Sequence, residues 1–168
     1  EGLYTDWILG ELENNWSDDC AEELAEYGKI MEIPQQEDFY RRRVKNADSR
    51  VFVIISDAMR YEVAATLAEE LQRENQSQVK LQNMQSIFPS ITKFGMAALL
   101  PHSNLSVEVK NELLSVLADG QSTASTNRDK VLKAANPASV ALQYKNIIGM
   151  KRADRSALVK GMEVVYIY

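Results

Sequence analysis

The amino-acid sequence predicts an α/β protein: an α/β/α sandwich around a mostly parallel central sheet, preceded by a helical N-terminal segment. Three observations carry this. Residues 51–55, V-F-V-I-I, are an unbroken β-branched and aromatic run, the pattern of a strand buried on both faces. Straight after it the apolar period becomes helical, with Val63, Leu67 and Leu71 spaced by four. The chain then closes on another strand pattern, V-V-Y-I at residues 164–167. Strands alternating with helices call for crossover connections and therefore parallel pairing.

The front 48 residues read as helices leading into the domain, which occupies residues 49–168. Ile8, Leu12 and Trp16 form one helical stripe. Ser17, with Asp18 and Asp19 behind it, reads as the cap of a second helix carrying Cys20, Leu24 and Tyr27. Pro34 suits the first turn of a third, whose Phe39, Tyr40 and Val44 face inward. After the strand at 51–55 comes a helix from Arg60 to about Arg73. Residues 80–88 alternate loosely enough to suggest a second strand, which Pro89-Ser90 breaks before a short helix opens at Thr92. Residues 113–117 fit helix or strand equally, and residues 118–126 read as a loop. Asn127 is placed to cap a helix through Val131, Leu132 and Ala135. Helical stretches follow at 140–148 and 152–159, and Gly161 ends the last of them before the final strand.

Composition excludes several classes. Nineteen Lys and Arg against 24 Asp and Glu give a net charge of -5, which argues against nucleic acid held by bulk charge. One cysteine, Cys20, forms no internal disulfide, so a reducing compartment such as the cytoplasm fits. No apolar run approaches the ~20 residues of a membrane span. The chain opens at Glu1 and closes inside a strand pattern, so a piece of a longer protein is expected.

Two junctions could carry chemistry. Asp57 follows the first strand, and ligand sites of open α/β sheets lie beyond the carboxyl ends of strands. Capping of the next helix is an equally good explanation of an Asp there. Thr92 opens a helix, where unpaired N–H groups and the dipole favour an anion such as phosphate. Its hydroxyl could act as a nucleophile if a metal ion lowered its pKa, although capping explains it alone. His102 is the single histidine, which reads as a satisfied structural residue, and no G-x-S-x-G elbow accompanies it. Arg41, Arg42 and Arg43 read as a solvated helix face beside acidic neighbours.

Taken together, V-F-V-I-I-S-D-A-M-R-Y-E at 51–62 and F-P-S-I-T-K-F-G-M-A-A-L-L-P-H at 88–102 resemble the PglZ family, a branch of the alkaline phosphatase superfamily. D-G-Q-S-T-A-S-T-N-R at 119–128 and the Q-x-x-F-Y segment at Gln36–Tyr40 are similar to the same family. The resemblance covers the whole chain but only the first part of the family's catalytic domain. It implies an alkaline-phosphatase-like fold, incomplete here, and a two-metal phosphohydrolase of a bacterial phage-exclusion (BREX) system. Asp57 matches the superfamily's metal-binding aspartate, and Thr92 its metal-bound nucleophile. The metals implied are two divalent ions, typically zinc. With the other Asp and His ligands lying beyond Tyr168, the expectation is a piece that binds metal weakly or not at all and is inactive alone. Arg60, Asn127 and Arg128 fall in family-like stretches and are candidates for substrate contact; Glu62 does too, without a role. The partners implied are a phosphate ester or diester, nucleic acid among the candidates, and other phage-defence proteins.

Other readings remain. A response-regulator receiver needs an acidic pair on an earlier strand, and the segment before residue 51 reads as helix. A dehalogenase-type phosphatase needs D-x-D, which Asp57-Ala58-Met59 lacks. A non-catalytic PglZ domain, serving as a scaffold in a defence complex, is the rival that stays open.

Overall fold

The computed structural model describes residues 2–74 and 78–168. It divides into two compact units, Glu1–Gln35 with Asn83–Gln85, and Gln36–Gln82 with Ser86–Tyr168.

In the first unit a π-helical segment, Leu3–Leu12, runs directly into helix α1, Glu13–Tyr27. Ser17 therefore lies inside a helix and caps nothing, a correction to the two-helix expectation. No Gly or Pro interrupts residues 11–27, so nothing forces a break there. The helix ends at Gly28, whose φ of 67° takes the left-handed conformation that glycine adopts without a Cβ penalty. Beyond it two glutamines do the fastening. Gln85 accepts the Ile30 N–H at Oε1 (2.8 Å), and Gln35 Nε2 donates to the carbonyls of Ile30 and Ile33. One parallel bridge, Gln35 to Gln85, is the only pairing of residues 80–88, so the second strand expected there does not form. Little of the alternation is covered: Leu81, Met84 and Phe88 are exposed and Ile87 is half-buried.

The second unit holds the α/β architecture. A parallel sheet has the order β1-β6-β5, with β1 Val51–Ile54, β5 Ser139–Leu142 and β6 Val164–Ile167. A separate antiparallel sheet has the order β2-β3-β4, with β2 Leu105–Lys110, β3 Leu113–Ala118 and β4 Gln121–Ser122. The helices are α2 Tyr61–Arg73, α3 Thr92–Ala98, α4 Arg128–Ala135, α5 Tyr144–Ile147 and α6 Arg152–Leu158. The α/β class with a parallel sheet and a helical front is thus as expected.

Several local expectations are corrected. Residues 139–142 form β5 rather than the start of a helix, because β6 offers a parallel partner in register from Ser139 to Leu142. The turn of helix expected there shrinks to α5. Pro34 lies before the helical turns, which begin with a 3-10 turn at Gln36–Asp38 and continue as a π-helical turn at Tyr40–Val44. Strand β1 is buried on one face only: Val53 is buried, whereas Phe52 and Ile54 are 50% and 73% exposed. Its β-branched composition matches a doubly covered strand, but among the described residues only the Val53 face meets the core.

That core gathers Tyr40, Val44, Val53, Leu100, Val131, Leu132, Val164 and Tyr166. Tyr166 is the largest side chain fully inside, and its hydroxyl donates to the Leu99 carbonyl at 2.8 Å. Burial, with Tyr40 nearby, pushes its phenol pKa well above the ordinary value. The end of α3 is thereby tied to β6. Its beginning is set by Gln36, whose amide packs beside Gly95 and accepts the Ile87 N–H at 3.1 Å.

Candidate active site

Strand β1 ends in S-D-A-M, and the chain turns at Asp57-Ala58. Ala58 has φ of 56°, a left-handed value that costs a residue with a Cβ of order 1 kcal/mol and so requires support from its surroundings. Asp57 gives part of it, since Oδ1 accepts the Ala58 N–H at 3.1 Å. The other oxygen reaches across to the start of α3, where Thr92 Oγ1 donates to Asp57 Oδ2 at 2.8 Å. Asp57 caps no helix. The N-cap of α2 is Arg60, whose side chain makes no capping bond. The structure therefore brings together the two residues singled out from the sequence, 35 positions apart, through a direct hydrogen bond.

Thr92 is the first residue of α3, after an extended segment rather than the strand expected before it. Its hydroxyl is exposed, as is the Asp57 carboxylate. A hydroxyl that donates to a carboxylate keeps its lone pairs outward. One carboxylate and one hydroxyl in contact are two hard oxygen donors, which fits one side of a divalent cation site. Among the described residues no group of three or more His, Cys, Asp or Glu is gathered, so this pair alone makes no complete cage.

Arg128 is the third candidate. Arg128, the first residue of α4, donates from Nε to the Thr123 carbonyl (3.2 Å), and its guanidinium lies 4.3 Å from the ring centre of Tyr168. Burial lowers the pKa of this arginine, while Tyr168 and the Asp57 carboxylate act against that shift.

The other candidates are less engaged. Arg60 is exposed, and Glu62 is exposed in the first turn of α2. Asn127 is half-buried, and its backbone carbonyl accepts the Lys130 and Val131 N–H groups, but its side chain makes no capping bond. His102 Nδ1 lies 2.7 Å from the Leu100 carbonyl; a carbonyl only accepts, so that nitrogen carries the proton. Arg41 and Arg42 pair with Asp38 on an exposed face. A cleft of about 910 Å³ is lined by Tyr40, Lys45, His102 and Asp119, yet neither Asp57 nor Thr92 borders it. Size alone does not locate the chemistry. Tyr168 was missed from sequence. Its place beside a hydroxyl-rich loop gives no periodic signal, and only the fold brings it under Arg128.

A parallel α/β sheet with an acid and a hydroxyl joined beyond its first strand is consistent with an incomplete alkaline-phosphatase-like domain. The chain belongs to the PglZ family: residues 39–168 match the family described as "BREX system PglZ alkaline phosphatase-like domain". It is 39% identical to the alkaline phosphatase-like protein BrxZ of Escherichia coli O9:H4 (strain HS) and 36% identical to the alkaline phosphatase-like protein PglZ of Bacillus cereus (strain H3081.97). Both matches cover 100% of this chain and 20% of the relative, so the chain spans about a fifth of the length of these curated relatives. No solved structure matches it. No helix among the described residues is long and apolar enough to cross a membrane.

Proposed function

We propose that this chain supplies one side of the catalytic site of a metal-dependent phosphohydrolase of a phage-defence system, with Thr92 as the nucleophile. The observation that carries the reading is the 2.8 Å bond between Thr92 Oγ1 and Asp57 Oδ2 at the exposed end of the parallel sheet. Asp57 holds the hydroxyl in one orientation, which converts a freely rotating group into a directed one. Thr92 then attacks phosphorus, the ester P–O bond breaks, and the alcohol leaves with a proton. Water subsequently releases the phosphate from Thr92. Two divalent cations, zinc by resemblance, would lower the hydroxyl pKa and neutralise phosphoryl charge when bound, with Asp57 and Thr92 as this chain's donors. Arg128 is the cationic contact for a phosphoryl oxygen, with exposed Arg60 and Asn127 as secondary contacts. The substrate class is a phosphate monoester or diester, and the compartment is cytoplasmic.

The test is hydrolysis of phosphomonoesters and phosphodiesters by the full-length protein with zinc supplied. Thr92→Ala should lower the rate by ~10³-fold or more, the scale of losing a nucleophile. Asp57→Asn should cost at least the ~10–100-fold seen for outer-sphere partners of metals. Full activity in both variants would sink the assignment. A second reading, a scaffold for other phage-defence proteins, is favoured by the exposed Val63, Leu67 and Leu71 stripe of α2. A wild type inert with every metal would support it.

A further inference from the structure

Resting on the reading of Arg128 as the oxyanion contact, we infer that Tyr168 is a positioning residue that holds the Arg128 guanidinium ready for a tetrahedral oxyanion at the Asp57–Thr92 pair. The residue is held by two backbone bonds and its ring by one through the hydroxyl. Tyr168 N donates to the Leu142 carbonyl (3.1 Å), its own carbonyl accepts from Tyr144 N (2.7 Å), and its hydroxyl donates to the Ser125 carbonyl (2.6 Å). Arg128 is fastened to the same loop through Nε and Thr123, two residues before Ser125. The 4.3 Å stack then covers one face of the guanidinium.

Two consequences follow. Arginine rotamers carry a large entropy, and a stack plus one Nε bond removes most of it before any ligand arrives. Beyond the Thr123 carbonyl and the Tyr168 side chain, Arg128 has no ion-pair partner among the described residues, which leaves N–H donors for a ligand. A half-buried cation that makes no direct ion pair among the described residues is stabilised by an incoming anion. Phosphate fits the fork of the two Nη groups bidentately, which lysine could not copy.

The test is titration of the full-length protein with inorganic phosphate, read by calorimetry. Arg128→Ala should weaken binding tenfold or more. Tyr168→Leu should weaken it about three- to tenfold, with an unchanged melting temperature within a degree or so. Tyr168→Phe, which keeps the stack and loses only the hydroxyl, should bind within about twofold of wild type. Wild-type affinity in Tyr168→Leu, with loss in Arg128→Ala, overturns the inference and leaves the oxyanion role of Arg128 standing. Equal losses in Tyr168→Leu and Tyr168→Phe also overturn it, since the hydroxyl and not the ring would then matter. No phosphate binding by the wild type overturns the role of Arg128 together with that of Tyr168. If Tyr168→Leu does not fold, ring-current displacement of the Arg128 side-chain protons in the wild type decides the point. Its presence supports the stack and its absence overturns it.

Discussion

Asp57 and Asp119 are both exposed aspartates at turns, and their neighbours give them opposite work. Asp57 spends one oxygen on the adjacent N–H and turns the other towards a hydroxyl that could react. Asp119 spends both on backbone, accepting from Ser103 N (3.0 Å) and Asn104 N (2.8 Å). These bonds, Ser103 first, hold its pKa below the ordinary carboxylate value. Its contribution is therefore present above the unfolded pKa of ~4 and is lost as pH falls through the lower folded value. Asp119→Asn should be less stable than wild type at neutral pH, with the gap closing below about pH 4 in urea midpoints. A gap constant with pH would contradict this. From sequence, Asp57 and Thr92 were legible because each sits at a junction of two periodicities. Arg128 was a candidate for substrate contact without a partner, since Tyr168 is far along the chain and only tertiary folding joins them.

At the scale of elements, the parallel sheet was half legible and the antiparallel one hardly at all. Strands β1 and β6 announce themselves by β-branched runs. Strand β5, S-V-A-L, is short and ambiguous, and its identity comes from pairing with β6. Asp129 supports it from α4, accepting the Ala141 N–H at 2.9 Å. The β2–β3 hairpin turns at Asn111-Glu112, both with positive φ, where Asn-Gly would have been the recognisable signal. The β3–β4 turn does carry Asp119-Gly120, but β4 is only two residues long and reads as loop. A Cβ at Gly120 would meet nothing within 4 Å, so only its φ of 80° resists substitution. Gly120→Ala should thus cost about 1 kcal/mol in chemical denaturation, with no change in the core signal. A neutral result would mean the turn is not the two-residue type that the φ values define.

For the molecule as a whole, the apolar surfaces that stay open among the described residues include the Phe52 and Ile54 face of β1 and the Val63, Leu67 and Leu71 stripe of α2. The sequence predicts cover on both faces of β1, but apolar periodicity reports what a residue suits and carries no information on which neighbour covers it. The same distinction applies to the site. The residues here form an acid, a hydroxyl and a guanidinium around one sheet end, and the chain spans a fifth of its curated relatives' length.

The central claim is that the oxygen Asp57 holds is the one that attacks phosphorus. The most direct measurement is acid quench of the full-length protein during turnover of a phosphate ester, followed by peptide mass spectrometry. The account predicts a phosphoryl group on Thr92, absent in Thr92→Ala and diminished in Asp57→Asn. Turnover with Thr92 unmodified, and undiminished in Thr92→Ala, would contradict it.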